Sequence, residues 1–195
     1  VLQADKMDLN FLGITWLPSQ IQAINPILIL TLVPIFSYIV YPQVSKVWTL
    51  TPLRKVSVGF FITVPAFLLP AWIESQLAAG EVVNIGWQLA AYVILTIAEI
   101  LVSITVLEFS YTQAPKKMKS LVMATNLMSV FLGNIFVMVV NIFIQNEDGT
   151  SKLVGPDYYL FFAGCMFVTA VLFIPVAMRY KEKTYIQGTD DMASA

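Results

Sequence analysis

Glu99 stands near the middle of an apolar stretch, Trp87 to Phe109, that is long enough to cross a bilayer. A carboxylate at that depth costs about 3 kcal/mol on insertion scales, so the default reading is a functional acid facing a water-filled cavity. The alternative is a structural acid paired with a base on another helix. Ser103 lies one helical turn further on and shares the face of Glu99, and Val106 and Ser110 continue that stripe. Glu108 falls about half a turn round on an uninterrupted helix, where the basic loop beside it offers a partner. A second polar side chain, Asn25, precedes Pro26 in another apolar stretch. Its amide can orient a ligand, or it can satisfy a carbonyl that the proline frees.

Several chemistries are excluded by what the chain lacks. It contains no histidine, the commonest metal ligand and catalytic base. No nucleophile elbow and no metal-ligand spacing occurs, so neither an enzyme nor a metal site is expected, and no cofactor. The single cysteine, Cys165, lies inside an apolar run and reads as a small hydrophobe. A net charge of −1 without a basic stripe argues against nucleic acid as a partner. Carboxylates are left as the groups able to exchange protons near neutral pH.

The elements that position these residues follow from composition. The chain is 58% hydrophobic and 12% charged, against about 25% charged in soluble domains. Five apolar spans are expected, over 18–41, 56–73, 87–109, 121–144 and 158–178. Each suits a hydrocarbon core of about 30 Å. The fold class is therefore all-α and integral to the membrane, with the lipid bilayer as a partner. Nine of the eleven basic residues fall on one side: Lys46, Arg54 and Lys55, then Lys116, Lys117 and Lys119, then Arg179, Lys181 and Lys183. The positive-inside rule places that side, and the C-terminus, in the cytoplasm. Glu74, Glu81, Glu147, Asp148 and Asp157 lie on the other side, and Trp16, Trp72, Trp87, Tyr158 and Tyr159 flank span ends as an aromatic belt. Prolines 26, 34, 65, 70 and 175 fall inside spans and predict kinks. Asn134 and Asn141, with Gly133, are expected to pack against another helix. The acidic end, Gly188 to Ala195, reads as unstructured.

The segment from Glu99 through Ser103 to Ala114-Pro115, followed by Lys116 and Lys117, closely resembles the tenth transmembrane helix of the proton-dependent oligopeptide transporter family, within the major facilitator superfamily. Three further stretches are similar to that family. Gln22-Ala-Ile-Asn25-Pro26, with Val33-Pro34 and Tyr41-Pro42, looks like its eighth helix; Thr51-Pro-Leu-Arg54-Lys55 to Gly59 like the entry to its ninth; and Lys119-Ser120 through Gly133-Asn134 like its eleventh. The resemblance implies that the five spans are helices eight to twelve of a twelve-helix facilitator fold. Residues 1–17 would then be an extracytoplasmic lead-in from a missing helix seven, 18–178 the five-helix part of the C-terminal bundle, and 179–195 a cytoplasmic tail.

By the same resemblance Glu99 matches the acid that holds a peptide's amino terminus, and Asn25 the amide that binds the same end. Ser103 is a pocket-lining candidate. Asn126 stands where family members often carry a tryptophan; it is either a substrate-binding residue or a bridge between helices. The implied function is the C-terminal part of a proton-coupled di- and tripeptide symporter in a cell inner membrane, with the proton as coupling ion and the missing N-terminal helices as partners. The short connection from Glu74 to Gly86 resembles bacterial members, since animal ones carry a large domain there. The alternatives are a facilitator for another solute, such as nitrate or a drug, or a truncated fragment without transport activity.

Overall fold

The computed structural model describes residues 3–145 and 152–180. Lys181, Lys183, the acidic end from Gly188, and Asn146, Glu147 and Asp148 lie outside the described residues.

Five long helices account for most of the chain: α1 (Pro18–Ser45), α2 (Pro52–Ala78), α3 (Gly86–Gln113), α4 (Lys119–Ile144) and α5 (Pro156–Arg179). All five are long and apolar enough to cross a membrane. Three of them open on proline, which has no N–H to leave orphaned and a φ already suited to the first turn. Leu17 and Thr51, before Pro18 and Pro52, are extended as the proline ring requires. The Gln20 side chain turns back to accept the Leu17 backbone N–H at 3.0 Å, which closes the start of α1. Pro115 ends α3 at Gln113, with Ala114 extended.

Two helices are not α-helical throughout. A π turn occupies Phe36–Val40 of α1, two residues beyond Pro34, and another occupies Ile100–Ile104 of α3, directly after Glu99. All five helices are longer than the spans expected from hydropathy, α3 running from Gly86 to Gln113 rather than from 87 to 109.

Helix α2 is the centre of the packing and lies against both α3 and α5. Its contact with α5 is aromatic, with Phe60 edge-on to Phe173 at 5.1 Å and Phe67 stacked on Phe162 at 6.3 Å. Buried Ala66, Ala71, Ala163 and Ala170 accompany these rings. The contact with α3 depends on Gly59. A Cβ there would come within 2.6 Å of a Val102 methyl and 2.9 Å of the Leu101 Cβ. Small residues at such crossings let backbones approach closely, the usual device where lipid supplies no hydrophobic drive. Helix α4 packs mainly against the end of α3. Gly133 has nothing within 4 Å of a would-be Cβ and Asn134 is exposed, so they meet no described helix. Asn141 does, accepting a hydrogen bond from the Tyr158 hydroxyl at 3.2 Å.

Residues 3–16 do more than lead into α1. They form a 3-10 turn at Ala4–Lys6 and a hairpin pairing Asn10–Phe11 with Ile14–Thr15. Leu12 and Gly13 make its turn, both at positive φ, the pattern of tight hairpins. Ala4 and Met7 then enter a core with Ile21, Ile73, Val83 and Ile85. Asn84, an unremarkable loop residue in the sequence, is the hub. Its amide donates to Asp8 at 3.1 Å and to the Asn10 carbonyl at 2.8 Å, while its oxygen accepts the Gly86 N–H at 2.9 Å.

Substituting Gly59→Ala should force α2 and α3 apart at a cost of about 1–3 kcal/mol. The thermal unfolding midpoint of the detergent-solubilised full-length protein is expected to drop by several degrees, and an unchanged midpoint would mean that the two helices do not cross there. Asn84→Ala should release the hairpin, read as faster amide hydrogen exchange at Asp8, whose N–H donates to the Val83 carbonyl, and at Ile85, whose N–H donates to the Asp8 carbonyl.

Candidate functional site

The third helix supplies the centre of the site. Along α3, Gln88, Tyr92, Thr96 and Glu99 follow one another at three- and four-residue spacing and so occupy one face. Thr96 is fully buried. Its Oγ1 lies 2.7 Å from the carbonyl oxygen of Tyr92, the back-bond a threonine commonly makes within a helix. The same oxygen lies 2.7 Å from Asn25 Oδ1 on α1. Asn25 in turn donates from Nδ2 to Glu99 Oε2 at 3.2 Å. Thr96, Asn25 and Glu99 therefore form a hydrogen-bonded row across the α1–α3 interface.

The row uses both ends of the Asn25 amide on α3, rather than on the carbonyl that Pro26 frees in its own helix. Glu99 keeps one oxygen on Asn25. No described side chain donates to its other oxygen, and no described Lys or Arg pairs with it; the ion pair among the described residues is Lys6–Glu74, at 3.5 Å. A groove of about 270 Å³ opens beside Glu99, lined by Ser103, Thr63, Phe60 and Met166 among others. Leu95 also lines a second cavity of about 540 Å³ further along α3, which Gln22, Gln88 and Tyr92 face. Gln88 is 8% exposed, and no described residue satisfies its Oε1. The lining carries hydroxyls and amides but one charge, which suits a polar or cationic guest. No group of three metal-ligating side chains occurs among the described residues.

Of the residues singled out in the sequence, Asn25 and Glu99 are brought into contact, and Ser103 shares the groove with Glu99. Asn126 is placed elsewhere: its amide donates to Ser110 at 3.3 Å, bridging α4 to the far part of α3. The π turn alters the stripe drawn from Glu99 through Ser103 to Ser110. One extra residue in a turn delays the phase by about 100°. Ser110 is carried towards α4, and Glu108 is no longer opposite Glu99. Glu108 makes no ion pair among the described residues. The ammonium of Lys119, from the basic loop the sequence offered as its partner, sits over the Tyr111 ring at 3.9 Å instead. Thr96 was missed by sequence reasoning, although a hydroxyl three residues before Glu99 on the same face was the available signal.

Comparison with known proteins agrees with this geometry. The PTR2, or POT, family pattern matches residues 1–155. Peptide transporter PTR2 of Saccharomyces cerevisiae is 28% identical over 180 residues, 86% of this chain and 29% of that protein. A crystal structure of an auto-inhibited POT family peptide transporter superposes with a TM-score of 0.86 at 31% identity, covering 97% of this chain and 38% of that one. The POT family transporter PepTSo gives 0.79 at 32% identity, covering 91% and 36%. The chain belongs to the POT family, a family of membrane transporters and not of enzymes. It is a multi-pass membrane protein whose five helices have the fold expected of the last five in the facilitator bundle. It spans about a third of the length of these relatives.

Since no described cation leans on Glu99, removing its charge should leave folding intact. In the full-length protein Glu99→Gln is expected to keep the thermal midpoint within about 2 °C of wild type, because glutamine still offers Asn25 an acceptor. A fall of more than about 5 °C would identify Glu99 as half of a structural ion pair.

Proposed function

We propose that this chain is the C-terminal part of a proton-coupled symporter of di- and tripeptides, in which Glu99 and Asn25 together bind the peptide's amino terminus. The observation that carries this reading is the 3.2 Å bond from Asn25 Nδ2 to Glu99 Oε2. It presents a carboxylate with one oxygen held and the other uncommitted, in a groove without another charge. An ammonium entering there gains a charge-assisted hydrogen bond. Asn25 adds orientation without adding charge, since its oxygen is already engaged by Thr96.

The family and the relatives named as peptide transporters support the substrate class. The charge asymmetry of the loops supports an inner-membrane protein with the helix end bearing Arg54, Lys55 and Lys119 in the cytoplasm. A zwitterionic peptide also needs a cation for its carboxylate, and that group comes, on this reading, from N-terminal helices outside the present chain. The proton enters as coupling ion because a carboxylate can carry it and the chain has no histidine to do so. Ser103 lines the pocket beside Glu99. Asn126 acts through its bridge to Ser110 and sets how α4 closes on α3.

Full-length protein in liposomes, driven by an inward proton gradient, should accumulate a radiolabelled dipeptide. Glu99→Gln should reduce uptake at subsaturating peptide by at least about tenfold, the worth of a hydrogen bond to a charged group. Uptake equal to wild type would remove Glu99 from the substrate site.

A further inference from the structure

We propose that Thr96 is the positioning residue of this site, its hydroxyl holding the Asn25 amide against Glu99 in either of the two orientations that the proton on Glu99 can call for. The two ends of an asparagine amide are nearly equal in shape, so shape alone does not choose between them. With its oxygen towards an ionised Glu99 the amide would set one acceptor against another. Thr96 Oγ1, 2.7 Å from Asn25 Oδ1, donates its proton there and leaves Nδ2 for the carboxylate. Thr96 is itself held, because it is fully buried and its Oγ1 sits 2.7 Å from the Tyr92 carbonyl.

A hydroxyl can also accept, and this explains why the position carries threonine rather than an apolar residue of the same shape. When Glu99 carries a proton, its O–H needs an acceptor. A half-turn of the Asn25 amide supplies Oδ1, Nδ2 then donates to Thr96 Oγ1, and the threonine proton turns to the Tyr92 carbonyl. No covalent bond changes, and Asn25 keeps one bond to Glu99 and one to Thr96 in both arrangements. The other elements at the groove contribute Phe60 and Thr63 from α2 and Met166 from α5, none of them charged. The charges the amide responds to are therefore the proton on Glu99 and a guest that binds it. Valine at position 96 would give Asn25 no partner in either arrangement, and serine would give it one in both.

The substrate readout rests on the reading given under Proposed function, so a second readout stands apart from it. In liposomes holding the full-length protein, dipeptide counterflow is measured for wild type, Thr96→Val and Thr96→Ser, each also in an Asn25→Ala background. Thr96→Val should raise the half-saturating peptide concentration by about tenfold while leaving the maximal rate near wild type, the worth of one lost hydrogen bond. Thr96→Ser should restore it, and with Asn25→Ala already present Thr96→Val should add less than about twofold. Half-saturation unchanged in Thr96→Val, or shifted equally in both backgrounds, overturns the proposal. If the wild type moves no dipeptide, the substrate reading fails instead, and thermal midpoints of the same variants decide the role of Thr96. Effects of Thr96→Val and Asn25→Ala that do not add support it, and effects that add independently overturn it.

Discussion

A carboxylate placed midway along an apolar helix is the constraint to which the rest of this structure answers. Glu99 cannot be left to lipid, and the described residues give it no cation, so its surroundings have to be polar without being charged. Asn25 meets that need from α1, and Thr96 meets the need that Asn25 creates in turn. For the row to form, α1 and α3 must approach at this level. The backbone of α3 is held on its other side by α2, through the close approach at Gly59. The π turn that begins at Ile100 lies between the two requirements. It lets α3 present Glu99 towards α1 while Leu101 and Val102 pack over Gly59. Such turns recur at functional sites for this kind of reason, since they change the phase of a helix without ending it.

Much of this was legible in the sequence because the bilayer imposes length. Five apolar stretches meant five helices, and the prolines at 18 and 115 marked two of their ends, while those at 52 and 156 open helices that the hydropathy pattern started later. Glu99 announced itself by cost. Its contact with Asn25 followed only from resemblance, for nothing in spacing alone tells which helices touch. Thr96 was hidden because threonine in an apolar run ordinarily satisfies itself on its own backbone, as this one also does. The π turn was hidden because it changes hydrogen-bond partners and not residue types. A stripe counted at an α-helical period therefore drifted beyond Glu99 and misplaced Glu108. The hairpin of residues 10–15 was too short to show a period, and Asn84 was too ordinary to mark the hub that holds it.

The groove is one end of a binding site rather than the whole of one. On the reading proposed above, a peptide has a cationic and an anionic terminus, and the groove, whose one charge is Glu99, would answer the first. Helix α4, with Leu127, Phe131 and Phe143 exposed, presents apolar faces that the described helices do not cover. Lipid and the remaining helices of a full-length transporter are what such faces are made for.

The most direct test asks whether Glu99 reads an ammonium. Free and amino-terminally acetylated forms of one dipeptide are compared as competitors of uptake, in wild type and in Glu99→Gln. The account predicts that the wild type prefers the free amine by roughly tenfold or more, and that Glu99→Gln loses most of this preference while still binding both forms weakly. An equal preference for the free amine in both proteins would contradict it, because the amino terminus would then be recognised somewhere other than at Glu99.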